Sequence, residues 1–143
     1  MSTVYFEEVN STPEIIDNLF HLLSKRKHSI SHEKMPEYDE HAKFVTNHPY
    51  RKWWTVRKED KLIGSVYLTD GNAIGINLLL DDVELYKEII IKVTEENEPL
   101  ESVASVNPAF FHINSAPTNK ALIQAIEEVQ GRLTQYSYRI DKN

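Results

Sequence analysis

Gly71-Asn-Ala-Ile-Gly-Ile-Asn-Leu-Leu-Leu-Asp-Asp-Val-Glu-Leu-Tyr-Lys-Glu-Ile-Ile-Ile-Lys-Val93 is the stretch on which the reading of the fold turns. Residues 72–80 are apolar and bounded by turn residues, which predicts a strand. Residues 83–95 predict a helix, with Val83, Tyr86, Ile90 and Val93 on one face. Only Asp81 and Asp82 separate the two. A strand that runs straight into a helix N-terminus presents free backbone N–H groups, a ready anion site. Sites of this kind that take a bulky diphosphate usually carry glycines, so that the backbone can come close. This junction has no glycine and carries Asp81, Asp82 and Glu84. The architecture points to a cofactor-binding shape, while the chemistry at its key turn argues against the usual cofactor.

Upstream of this stretch, Asp70-Gly71 is a hairpin signal. Residues 62–69 form the strand entering it. Residues 53–57 form the strand before that, joined through the charged turn Lys58-Glu-Asp-Lys61. Three consecutive antiparallel strands result. Further back, residues 4–9 predict a strand. Ser11, Thr12 and Pro13 open a helix, with Glu14 placed as in a capping box. Ile15, Ile16, Leu19, Leu22 and Leu23 form its buried stripe. Residues 25–36 have no period and read as a loop, and residues 38–46 form a short helix. Downstream, residues 97–107 are a connection and 110–113 a short strand. Residues 117–129 form a helix with Leu122, Ala125, Ile126 and Val129 as its core stripe. Residues 133–140 predict a last strand on which Tyr136 and Tyr138 share a face.

Composition sets the outer limits. The 143 residues suit one domain, residues 1–143, large enough to stand on its own core. There is no cysteine, which excludes disulfides, thiolate metal sites and a thiol nucleophile. Apolar runs reach about five residues against the roughly 20 of a membrane span, and no signal-peptide pattern opens the chain. The expectation is a cytoplasmic protein with no membrane partner. The net charge is −6, and the densest basic run is only Lys25-Arg-Lys27, so nucleic acid is not an expected partner.

The candidate constellations have plain readings beside them. His28 and His32 stand four apart with His41 and His48 following, but no acid completes a zinc motif, and no metal is expected. His41, on the side of Phe44 and Val45, reads as a half-buried histidine. Trp53 and Trp54 alternate across a strand, one for the core and the other either to stack on a ligand or partner or to cover the short second helix. Asp81, Asp82 and Glu84 read as an acidic first turn suited to the helix dipole. Asn119 beside Thr118 reads as a helix cap.

The order of these elements is strand, two helices, three antiparallel strands, helix, strand, helix, strand. Together with residues 30–41 and 47–54, Leu62-Ile-Gly-Ser-Val-Tyr67, Ala73-Ile-Gly-Ile76 and residues 114–138, it resembles the GCN5-related N-acetyltransferase family over nearly the whole chain. The closest likeness is to members linked to amino-sugar and nucleotide-sugar acylation. The resemblance implies an α/β fold with a mixed, mainly antiparallel sheet and helices on both faces. It implies acetyl-CoA as cofactor, lying between two splayed strands. The pantetheine arm would meet the backbone of Asn77, Leu78, Leu79 and Leu80, and Asn119 would also contact the cofactor. The family's pyrophosphate loop, Gln/Arg-x-x-Gly-x-Gly/Ala, corresponds to residues 81–87, where both glycines and the basic or amide leader are missing. The family's general-acid tyrosine in Asn-x-x-Ala-x-x-x-Tyr corresponds to Ile126, which cannot transfer a proton.

Like charges about 4 Å apart repel by about 1 kcal/mol in water and about 4 kcal/mol at an effective dielectric near 20. Several carboxylates facing a diphosphate outweigh a helix dipole worth about 0.3–1 kcal/mol. The leading expectation is a divergent member that has lost normal acetyl-CoA-dependent catalysis and acts as a binding or regulatory protein. The alternatives are an active N-acetyltransferase acting on an amine of a small molecule such as an amino sugar, and an assembly role. In the last, a sheet edge or a tryptophan would join a homo-oligomer.

Overall fold

The computed structural model describes residues 4–26, 35–101 and 108–142. Nine elements follow in order: β1 (Tyr5–Glu8), α1 (Pro13–Ser24), α2 (Tyr38–Thr46), β2 (Lys52–Lys58), β3 (Lys61–Leu68), β4 (Ala73–Leu78), α3 (Val83–Glu96), β5 (His112–Ile113) and α4 (Lys120–Glu128). They form the expected mixed α/β fold. The strands lie side by side in chain order in one sheet. The first three neighbouring pairs are antiparallel and the β4–β5 pair is parallel. No helix among the described residues is long and apolar enough to cross a membrane.

Helices cover both faces of the sheet. On one face, Ile15, Ile16, Leu19 and Leu22 of α1 pack with Val45 of α2 and Trp53 of β2. On the other, Leu85, Tyr86, Ile89, Ile90 and Val93 of α3 meet Val56, Val66, Leu68, Ile74 and Leu78 of the sheet, joined by Leu122 and Ala125 of α4. The two tryptophans do point to opposite faces, and both are used in packing. Trp53 is buried in the first cluster. Trp54 packs against the second with its ring 5.3 Å from that of Phe6. The β2–β3 turn carries positive φ at Glu59 and Asp60 (50° and 64°), which suits the twist of a tight hairpin.

Asn72 joins the turn before β4 to the connection after α3. Its φ is 71°, a left-handed conformation that asparagine tolerates better than most residues. Its side chain is fully buried. Nδ2 donates to the carbonyls of Leu100 and Pro108, both at 2.8 Å, and Oδ1 accepts from Leu100 N–H at 2.7 Å. The Asn72 carbonyl accepts from His112 N–H at 3.1 Å. One residue thereby fixes where β5 meets β4.

Several expected boundaries move. β4 stops at Leu78, because Leu79 and Leu80 bend away toward α3. β5 is reduced to two residues. α4 begins at Lys120 rather than at residue 117. The capping box at α1 is not formed: the N-cap is Thr12, without a side-chain capping bond. Asn10 Oδ1 instead accepts from Thr12 N–H and Oγ1 at 3.0 and 2.6 Å. Residues 133–140 form no strand; they are irregular chain with Leu133, Tyr136, Tyr138 and Ile140 exposed. Their alternation has the period of a strand, but the fold offers them no partner among the described residues.

Removing the Asn72 side chain leaves three part-buried backbone groups without their partner, at about 0.5–1.5 kcal/mol for each bond lost. Asn72→Ala is expected to lose about 3 kcal/mol or more in urea unfolding. Asn72→Gly, which accepts the backbone conformation, should lose nearly as much. A loss under about 0.5 kcal/mol in both would show that the side-chain bonds do not hold this junction.

Candidate functional cleft

The cleft arises from unequal pairing along β4. β3 pairs with it along its whole length, from Leu68↔Ile74 to Gly64↔Leu78. β5 pairs with it only at Ala73↔His112 and Ile74↔Ile113. β5 ends at Ile113, so beyond Ile74 the far edge of β4 is open among the described residues. Antiparallel pairing alternates the direction of backbone groups. Thr69 N–H donates to the Ala73 carbonyl at 2.9 Å, and Leu79 N–H donates to the Ile63 carbonyl at 2.8 Å. The odd-numbered positions therefore turn toward β3, and Ile76 and Leu78 turn their N–H and C=O groups to the open side.

The four strand positions implicated by the sequence are thus not equivalent. Leu78 presents its backbone to the opening. Asn77 spends its backbone on β3, while its Nδ2 donates to the Leu22 carbonyl of α1 at 3.2 Å. Leu79 is half-buried against the α1/α2 cluster. Leu80 lies in the bend, 47% exposed.

The N-termini of the helices that follow β4 and β5 are both capped from within the chain. At α3 the cap is Asp82, whose Oδ1 accepts from Leu85 N–H at 3.1 Å. A carboxylate of the protein thus holds a first-turn donor that an anionic ligand would seek. Glu84 bonds Lys87 at 3.4 Å, and Lys87 reaches Glu128 of α4 at 3.1 Å. At α4 the cap is Asn119, which is buried and accepts from Leu122 N–H at 3.2 Å. Its Nδ2 donates to the Tyr86 hydroxyl at 3.3 Å. Burial pushes the Tyr86 phenol up, the Asn119 bond pulls it back, and the charge of Asp81 raises it again. The sequence placed Tyr86 on the core face of its helix but carried no sign that it would meet Asn119. Ile126 is half-buried and packs against the α3/α4 core.

The opposite sheet face is closed by aromatic rings beside the point where the edge opens. A Cβ at Gly75 would stand 2.0 Å from the Tyr67 ring, so glycine there lets that ring lie flat over β4. Tyr50 stacks on Tyr67 at 4.1 Å with 6° between the planes. Phe44, His48 and Trp53 meet Tyr50 around the stack. Burial pushes the Tyr50 hydroxyl up to about 12 and raises that of Tyr67. Both stay protonated at neutral pH, so these rings act as a wall.

Of the histidines, His28 and His32 lie outside the described residues. His48 Nδ1 accepts from Tyr50 N–H at 3.2 Å. His41 is more deeply buried than expected, with Nε2 lacking a partner and its ring 5.4 Å from that of Phe20. An open depression of about 530 Å³ lies along α3, with Lys58 and Lys87 set against Asp82, Glu84 and Glu88. Its mixed charges gather no single sign for a ligand.

Two solved structures share the fold. A possible acetyltransferase from Clostridium difficile 630 matches with a TM-score of 0.53 and 12% identity, over 99% of this chain and 100% of that one. An integron cassette protein from the mobile metagenome of V. cholerae matches with a TM-score of 0.56 and 14% identity, over 100% of this chain and 95% of that one. At such identity the likeness defines a fold class and leaves the chemistry to the residues. No protein-family model and no curated protein matches the sequence.

Two predictions follow from these side chains. Asp82→Ala should cost about 1 kcal/mol as a lost cap. Asn119→Ala, which also removes the bond to Tyr86, should cost about 2 kcal/mol; equal losses in the two variants would dissociate Asn119 from Tyr86. Burial holds the His41 imidazole below the ordinary 6.5, its backbone bond to Ile16 opposing this. As pH falls through 6.5 the unfolded chain binds the proton before the folded one does, so stability is lost from there downward until the lowered folded value is passed. His41→Leu should lose less stability than the parent between pH 7.5 and 5.5 in urea midpoints. An identical pH dependence would remove His41 as a contributor.

Proposed function

We propose that this protein is a divergent acetyltransferase-fold binding or regulatory protein that does not hold acetyl-CoA by its diphosphate. The observation that carries the reading is the Asp82 carboxylate bonded to Leu85 N–H at the head of α3. With Asp81 and Glu84 beside it, the turn sets negative charge where a diphosphate would need positive charge and bare backbone. The residue at the family's general-acid position, Ile126, points the same way. The ligand that suits the remaining cleft is a small molecule with an extended amide-bearing arm, able to pair with the open backbone of Ile76 and Leu78.

A second reading is favoured by that same open edge. In it the protein is an active N-acetyltransferase for an amine of a small molecule such as an amino sugar, gripping acyl-CoA through the pantetheine arm at Leu78 and near Asn119. Amine attack would then be direct.

A ligand at a hundredfold excess over its dissociation constant stabilises the folded state by about 2.7 kcal/mol, or roughly 5–10 °C for a chain of this size. The expected result is no shift of the parent protein with 1 mM acetyl-CoA. A gain in the Asp81→Gly/Asp82→Gly variant is also expected, since glycine costs a helix cap only a few tenths of a kcal/mol. Clear stabilisation of the parent below 1 mM would overturn the proposal in favour of the second reading. A variant as unresponsive as the parent would move the block elsewhere in the cleft.

A further inference from the structure

We infer that the sheet face beside the open edge of β4 takes the carboxylate of a small acid, held by the hydroxyls of Tyr50 and Tyr67 and by the Arg26 guanidinium. For the amide-bearing arm along β4 this rests on the reading proposed above, while the carboxylate end is independent of it.

The register sets the place. Tyr67 of β3 stands opposite Gly75, the first residue of β4 past the pairing with β5. Ile74, Ile76 and Leu78 pack toward α3, so Gly75 and Asn77 turn to the α1/α2 face. On that face the Tyr67 ring reaches across from β3, and a Cβ at Gly75 would stand 2.4 Å from its hydroxyl oxygen. The hydroxyl therefore lies over β4, where the far edge loses its strand partner. Tyr50 lies flat on the same ring, with 6° between the planes. Asn77 Nδ2 donates to the Leu22 carbonyl at 3.2 Å, which ties the last turn of α1 to this part of the sheet. Arg26 follows that turn, its N–H donating to the Leu23 carbonyl at 3.3 Å.

These groups are still on offer. Neither hydroxyl has a bonding partner among the described residues, and neither is sealed from water. Burial raises both, Tyr50 to about 12, so each keeps a proton to donate. The Arg26 charge opposes that rise at both rings, and no carboxylate of the described residues acts on either. Other tyrosines differ in this: Tyr5 bonds Asp60, Tyr38 bonds Asp17, and Tyr86 feels Asp81. Two phenol donors and one guanidinium match an acceptor with two oxygens and a single negative charge, which is a carboxylate. A phosphate monoester, at about −1.5 to −2, would keep much of its charge unmet in a chain of net charge −6. The acids at the head of α3 repel an anion from that side and orient the acid end toward the tyrosines.

The test is backbone amide NMR on the full chain with N-acetyldiglycine, which ends in a carboxylate, and with its neutral C-terminal amide. The expected result is saturable movement of the Gly75 N–H signal, the acid binding about tenfold tighter than the amide or better. Arg26→Gln and Tyr67→Phe, checked for folding by circular dichroism, should each cost the acid about tenfold and leave the amide unchanged. Equal affinity of acid and amide overturns the inference, and so does no movement with either at tens of millimolar. A preference for the acid that survives in both folded variants overturns it too, as does a larger response to inorganic phosphate. The arm is read separately, at Ile76 and Leu78. If the acid moves Gly75 while those two signals stay in place, the carboxylate site stands and the arm along β4 falls.

Discussion

The buried side chain of Asn72 is the constraint on which the cleft depends. Its three side-chain bonds hold Leu100 and Pro108, and its carbonyl holds His112. β5 is thereby fastened to the beginning of β4 and to nothing further along it. β5 ends at Ile113, so beyond Ile74 the edge of β4 has no strand partner among the described residues. The open edge of β4 thus begins just past the pairing that Asn72 anchors. α3 is the next element after β4, and α4 the next after β5.

What fills those helix ends decides the chemistry. In a fold of this class, a helix N-terminus beside an open strand edge is suited to an anion. Here Asp82 and Asn119 spend first-turn donors on the chain's own oxygens. The remaining polar resource of the cleft is the backbone of β4, at Ile76 and Leu78. Strand backbone pairs with amides and discriminates little by charge.

Much of this was legible in the sequence, for reasons that differ by element. α1, α3 and α4 announced themselves by the spacing of Ile15, Leu19 and Leu22, of Tyr86, Ile90 and Val93, and of Leu122 and Ala125, because a helix with one buried face must repeat at that interval. The alternation of Trp53 and Trp54 gave the two faces of β2 correctly. The capping role of Asn119 was read from its position, whereas Asp82 was read only as first-turn acid and proves to be the N-cap of α3. Asn72 was hidden: its partners Leu100 and Pro108 lie 28 and 36 residues away, and no local pattern marks an amide that brackets a distant loop. Tyr86 meeting Asn119 was hidden for the same reason. The error at residues 133–140 is of another kind, since the period was right while a strand also needs a neighbour.

The central claim is that Asp82 holds the Leu85 N–H at the head of α3 and, with the acids beside it, disfavours a diphosphate there. Backbone amide NMR reads this atom by atom. On titration with acetyl-CoA to several millimolar, the account predicts that the N–H signals of Val83, Glu84 and Leu85 stay in place, any movement being confined to Ile76 and Leu78 on the β4 edge. Saturable displacement of the Leu85 signal, marking exchange of the Asp82 carboxylate for the cofactor's phosphates, would contradict it.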